Sequence, residues 1–209
     1  MINKLTIRSL EKQFEASRVK EIREIQNLLF SSIYDDSVGK YYVEEICKSL
    51  EAGLLLASIN LIICYLEIVL RDLLFYRILN NHKINPNFNK AASILQRQIE
   101  DTRDPQYSFI RILKDLEKYK DIEKIDRENL VCFYNEVRTP LHHGLIQRFV
   151  RNEGRRTNNL LDVDIVDWFG RVRWMELESK LEGNGVQLLD DATNMINKFS
   201  DKIKMLQNV

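Results

Sequence analysis

The sequence predicts an all-α fold, a helical bundle built around one long central helix. Breakers are scarce, with 7 Gly and 3 Pro among 209 residues. Leu, Ile, Glu, Lys and Arg dominate instead, and straight-chain residues lose little rotamer freedom in a helix. Apolar residues recur at three- and four-residue intervals in segment after segment, and no segment sustains the two-residue alternation of a strand. The length suits one domain with an appendage. The expected division is an N-terminal helical extension over residues 1–36 and a helical domain over residues 37–209.

The elements follow from periodicity and punctuation. From Leu5 to Ile33, the residues Ile7, Leu10, Phe14, Val19, Ile22, Ile25, Leu28 and Leu29 mark one amphipathic face, closed by Asp35, Asp36, Ser37 and Gly39. A long helical pattern runs from Tyr41 to about Asn80, which Gly53 either bends or splits; Leu54 to Leu79 is apolar on most faces and reads as the spine of the fold. Asn80 to Asn87 reads as a loop, Lys90 to Glu100 as a short helix, and Asp101 to Pro105 as a break. Two helices follow, Ser108 to Tyr119 and Asp126 to Arg138. Asp164 to Leu181 reads as a helix carrying Trp168 and Trp174, Glu182-Gly183-Asn184-Gly185 as a turn, and Val186 to Leu206 as a last amphipathic helix.

Composition excludes little by charge. Lys+Arg and Asp+Glu both number 31, so the formal net charge is zero, and any basic surface must come from local clustering. Cys47, Cys64 and Cys132 lack metal-ligand spacing and read as buried, inert thiols of a reducing compartment. The N-terminal stretch is charged throughout, without the apolar core of a signal peptide. A cytoplasmic location is therefore expected. The run Ala52 to Leu66 falls short of the about 20 apolar residues a span needs. Ser58 and Asn60 interrupt it and Glu67, Arg71 and Asp72 close it, so no membrane association is expected.

The stretch Val137-Arg138-Thr139-Pro140-Leu141-His142-His143-Gly144 stands apart. Two of the three histidines of the chain lie in it. Proline is disfavoured inside a helix and tolerated at its first position, and Thr139 is a suitable N-cap. One helix is thus expected to end near Arg138 and another to start at Pro140, with His142 and His143 in its first turn. Free backbone N–H groups there suit a phosphate, and the same field keeps an imidazole neutral and available as a base. Arg138 adds a charged fork matched to phosphate oxygens. In an unbroken helix residues four apart share a face, favouring His142, whereas five apart diverge by roughly 140°. A kink at Pro140 voids that rule and leaves both histidines open. Arg148, Arg151, Arg155 and Arg156 follow, with Glu153 opposing them.

Arg138 to His143 fits the R-x4-H form of a motif of HEPN domains, and His143-Gly144 matches the "HG" that often ends it. Upstream, Leu54 to Leu74 is similar to their long apolar helix with its "LE…LR" pattern, here Leu66-Glu67 and Leu70-Arg71. The resemblance covers roughly residues 40–206, as helix order. It implies a HEPN-like helical bundle, usually dimeric, and a metal-independent endoribonuclease of a toxin–antitoxin, abortive-infection or other antiviral defence system. Two motif copies would meet in a composite dimer site. There His143 would act as general acid/base and Arg138 would stabilise charge on the phosphate. A polar residue, often asparagine, commonly follows the motif arginine; Thr139 keeps a hydroxyl and lacks the amide.

The candidate site residues are therefore Arg138, His143, His142 and Glu67 for catalysis, with Thr139, Arg148, Arg151, Arg155 and Arg156 for RNA binding. Glu67 either reaches across to orient Arg138 or forms an ordinary one-turn pair with Arg71. The basic loop from Arg148 to Arg156 either guides RNA or is a solvated connector. No cofactor or metal is expected: glycine-rich phosphate loops, G-x-S-x-G, H-E-x-x-H and C-x-x-C are all missing. Asp162, Asp164 and Asp167 have no matching ligand set. The expected partners are RNA, a second copy of the chain and an antitoxin or defence-system protein. The alternative is a non-catalytic HEPN-like module that binds RNA, a nucleotide or a protein.

Overall fold

A computed structural model describes residue 14 and residues 16–35, 38–83, 90–101, 103–139 and 174–207. The described residues are mostly helical, joined by short turns, with no strand among them. The helices are α1 (Ala16–Ser31), α2 (Val38–Glu51), α3 (Leu55–His82), α4 (Lys90–Glu100), α5 (Phe109–Lys118), α6 (Lys124–Phe133) and α7 (Trp174–Gln207). A 3₁₀ turn, Pro105–Tyr107, precedes α5, and a π-helical turn, Tyr134–Arg138, extends α6. None of the described helices is long and apolar enough to cross a membrane.

Helix α3 is the spine. Ile59, Ile62, Leu66, Val69, Leu70 and Leu73 form one buried face, and in the second half of the helix Arg71, Leu74, Phe75 and Leu79 are buried on the other sides, because the helix is apolar on most faces and neighbours cover it there. Gly53 splits α2 from α3. Its φ of 72° puts it in the left-handed region that glycine enters at no steric cost. There the Gly53 and Leu54 N–H groups close a Schellman motif on Leu50 and Ser49 at 2.9 and 2.8 Å. The chain reverses at that point, so α2 and α3 form an antiparallel hairpin.

Helix α7 runs parallel to α3. Gly185 lies against Leu55 and Ile59 at one end, and Asn80 donates to the Leu206 carbonyl at 3.4 Å at the other. The expected turn at Glu182–Gly185 is replaced by continuous helix. Gly185 serves close packing there: a Cβ on it would meet Ile59 Cδ1 at 2.9 Å and Leu55 Cδ2 at 3.0 Å. Helix α1 also runs parallel to α7, with Arg18 beside Gly183 and Ser31 bonded to Asn197. Ile22, Ile25 and Leu29 of α1 are buried in the same core as Leu189, Ile196 and Phe199 of α7. The stretch 14–35 is thus packed on the bundle.

On the other side of α3, Arg77 grips the buried Asp121 in the α5–α6 turn with both Nε and Nη2, the Nε bond being 2.7 Å. Lys202 of α7 donates to the Asp121 carbonyl. Helix α6 starts with a capping box in which the Glu123 and Asp126 side chains each accept from the other residue's backbone N–H. Asp126 also takes Lys198 at 2.8 Å. From this anchored turn α6 descends antiparallel to α3, which brings its far end to Glu67. The cysteines divide: Cys47 is buried, Cys64 half-buried and Cys132 exposed, so the expectation of three buried thiols fails at Cys132.

Candidate functional site around Arg138

Arg138 ends the π-helical turn, where backbone bonds span five residues rather than four. Thr139 does not cap a new helix as the sequence suggested. Its backbone is helical, with φ −60° and ψ −48°, and its N–H reaches the Tyr134 carbonyl. Its hydroxyl donates to the same carbonyl at 3.0 Å. The helical path continues through Thr139, and the Tyr134 carbonyl accepts from both its N–H and its hydroxyl.

Arg138 meets Glu67 of α3. The Arg138 Nε faces Glu67 Oε1, and Nη2 donates to Oε2 at 3.4 Å. Both side chains are mostly covered, with 26% of Arg138 and 16% of Glu67 exposed, so the pair is less screened than a surface ion pair. The guanidinium also lies over the Tyr134 ring, 4.7 Å from its centroid, and Nη1 donates to the Tyr134 hydroxyl at 3.2 Å. Of the five guanidinium N–H bonds, Tyr134 takes one from Nη1 and Glu67 one from Nη2, while Nε faces Glu67 Oε1 as an ion pair without a hydrogen bond. One on Nη1 and one on Nη2 have no partner among the described residues.

Of the two readings open for Glu67, the pair with Arg138 is the one formed. Arg71, one turn further along α3, is buried and turns away to the carbonyls of Ile99 and Tyr107, the latter at 3.2 Å. Ile99 lies in the last turn of α4, whose carbonyls lack helical partners and favour a cation. The two charged residues of the "LE…LR" pattern thus separate, Glu67 to Arg138 and Arg71 to the end of α4. Half-buried Cys64 lies close enough for Glu67 and Arg138 to influence it. Burial is the main cause that raises its pKa, Glu67 adds to this and Arg138 opposes it.

Arg138, Thr139 and Glu67 are therefore together in one place. His142, His143, Arg148, Arg151, Arg155 and Arg156 lie outside the described residues, as does Trp168. Tyr134 and Phe109 join the cluster without having been picked out from sequence. Among the described residues no group of three or more His, Cys, Asp or Glu side chains could hold a metal ion. A cleft of about 220 Å³ between α1 and α7, lined by Glu21, Glu24, Val186, Gln187 and Asp190, shares no residue with the cluster. Its carboxylates are unsuited to an anion. No protein-family model, curated protein or solved structure matches this chain.

Proposed function

We propose that the chain is a metal-independent endoribonuclease of the HEPN type, acting in a toxin or antiviral defence system in the cytoplasm. The observation that supports this most is Arg138 itself: a guanidinium fixed by Glu67 and Tyr134 that keeps two N–H donors unpartnered among the described residues. Such a fork suits the two free oxygens of a phosphodiester. In this reading His143 takes the proton of a ribose 2′-hydroxyl, with His142 as its neighbour. The 2′-oxygen attacks phosphorus and the bond to the 5′-oxygen breaks, that oxygen receiving the proton from His143, which leaves a 2′,3′-cyclic phosphate and a 5′-hydroxyl. Arg138 stabilises the charge that develops on phosphate. Two copies meet as a homodimer to complete the site. Thr139 and the arginines at 148, 151, 155 and 156 guide the RNA, and an antitoxin or defence-system protein restrains it.

The ion pair also favours a second reading. Glu67 offsets the charge of Arg138, as expected of a strut in a non-catalytic module that binds RNA, a nucleotide or a protein. Labelled tRNA and mRNA incubated with the purified protein in EDTA separate the two. Cuts ending in a cyclic phosphate, abolished by Arg138→Ala and His143→Ala and retained in Lys114→Ala on the exposed side of α5, support the ribonuclease. An uncut substrate in the presence of folded dimer favours the binding module.

A further inference from the structure

The geometry around Arg138 points to a positioning residue that the motif does not contain. Tyr134 stacks on Phe109 with ring centroids 4.7 Å apart and planes 16° from parallel. With one face of the Tyr134 ring taken by Phe109, the guanidinium lies against the other. Phe109 is itself buried, at the first position of α5, so the stack is founded on the core. Tyr134 also closes the π-helical turn, because its carbonyl accepts from both the N–H and the hydroxyl of Thr139. One residue therefore shapes the backbone that presents Arg138 and also supports its side chain.

Glu67 alone would not fix the guanidinium. It holds the edge formed by Nε and Nη2, about which the plane can still tilt. The ring beneath limits that tilt, and the hydroxyl bond to Nη1 sets the position of the far nitrogen. We propose that Tyr134, braced by Phe109, is the positioning residue of Arg138 and aims the remaining N–H donors of the guanidinium at one phosphate group. This rests on the phosphate-binding role given to Arg138 above.

The test uses the full-length protein labelled with ¹⁵N. The Arg138 Nε–H resonance is assigned by its loss in Arg138→Lys. Its solvent exchange and its shift on titration with inorganic phosphate are then followed in Tyr134→Phe, Tyr134→Leu and Phe109→Leu. Tyr134→Phe keeps the ring and loses one hydrogen bond, so about 3- to 10-fold faster exchange and a similar loss of phosphate affinity are expected. Tyr134→Leu should lose more and Phe109→Leu should lie between. A merely structural Tyr134 would shift the thermal midpoint without moving the phosphate titration. Unchanged exchange and affinity in a folded Tyr134→Leu overturn the proposal, and Tyr134→Phe decides if the leucine variant does not fold. A wild-type resonance indifferent to phosphate overturns it as well. Phosphate binding that depends on Tyr134, in a protein that cuts no RNA, would instead remove the ribonuclease reading and leave the positioning role standing.

Discussion

Asp72 follows the buried Arg71 on α3, and its carboxylate accepts the Tyr34 hydroxyl at 2.5 Å. Burial is the main influence on it and pushes its pKa up to about 6; the Tyr34 bond opposes that rise, while Asp35 and Glu100 add to it. Burial and the same carboxylate drive the Tyr34 phenol far above its usual range. An unfolded aspartate titrates near 3.9. A carboxyl whose folded pKa is raised favours the protonated form in the native state. Its contribution is fully present below about pH 4 and is lost as pH climbs through about 6. A rise of this size corresponds to on the order of 3 kcal/mol. Asp72→Asn keeps an acceptor for Tyr34 and removes the titration. It should stabilise the protein by about 3 kcal/mol at pH 7.5 and by little at pH 4. Urea unfolding at the two pH values measures the difference, and a gain equal at both would show that ionisation of Asp72 is not its source. At this same scale the candidate site was legible only in part. Glu67 could be expected to find a partner because it is an acid on an apolar helix, but the sequence left Arg138 and Arg71 equally open. Tyr134 could not be picked out, since an aromatic residue one turn before an arginine reads equally as core.

Helix α7 shows how a sequence signal can carry two meanings. Gly-Asn-Gly between periodic segments reads as a turn, yet Gly183 and Gly185 are helical and only Gly53 has a positive φ among the described glycines. What makes the difference is α3, lying so close to Gly185 that a side chain there would press on Leu55 and Ile59. Proximity between residues more than a hundred apart leaves no local mark. Gly53 was read as a bend or a split for the converse reason: the left-handed cap that decides the matter depends on bonds to Ser49 and Leu50. The π-helical turn at Tyr134–Arg138 had no signature in the apolar spacing. The glycines of α7 give a direct test. A Cβ on Gly183 would meet only Arg18 Nη2 at an ordinary 3.8 Å, so Gly183→Ala should stabilise by about 0.5–1 kcal/mol through helix propensity. Gly185→Leu should destabilise by about 1–3 kcal/mol through overpacking against α3. Thermal unfolding of the two variants reads both signs. Destabilisation by Gly183→Ala would argue that this stretch is a turn after all.

For the molecule as a whole, the parallel course of α1, α3 and α7 sets the assembly. Parallel neighbours cannot be joined by a tight turn, so each is separated from the next by at least one helix or a long connection. The first described helix thereby meets the last, and the two share one core. Sequence periodicity identified the buried face of α1, Ile22, Ile25 and Leu29, while the division at residue 36 drew on the break at Asp35–Gly39. Across that break α1 packs on α2 as well as α7, and Lys204 of α7 donates to the Ser31 carbonyl at 2.9 Å. Truncating a single buried Ile or Leu costs about 2–5 kcal/mol. Deleting residues 1–36 removes Ile22, Ile25 and Leu29 together and bares the face of α7 that they cover. Their combined loss rivals the about 5–15 kcal/mol of a typical domain. The full chain should unfold in one cooperative transition, and the chain from residue 37 onward should show none, with helix content falling gradually on heating and dispersed methyl resonances lost. A shortened chain that melts sharply at the full-length midpoint would make the first helix an appendage, and α7 would then owe its position to α3 alone.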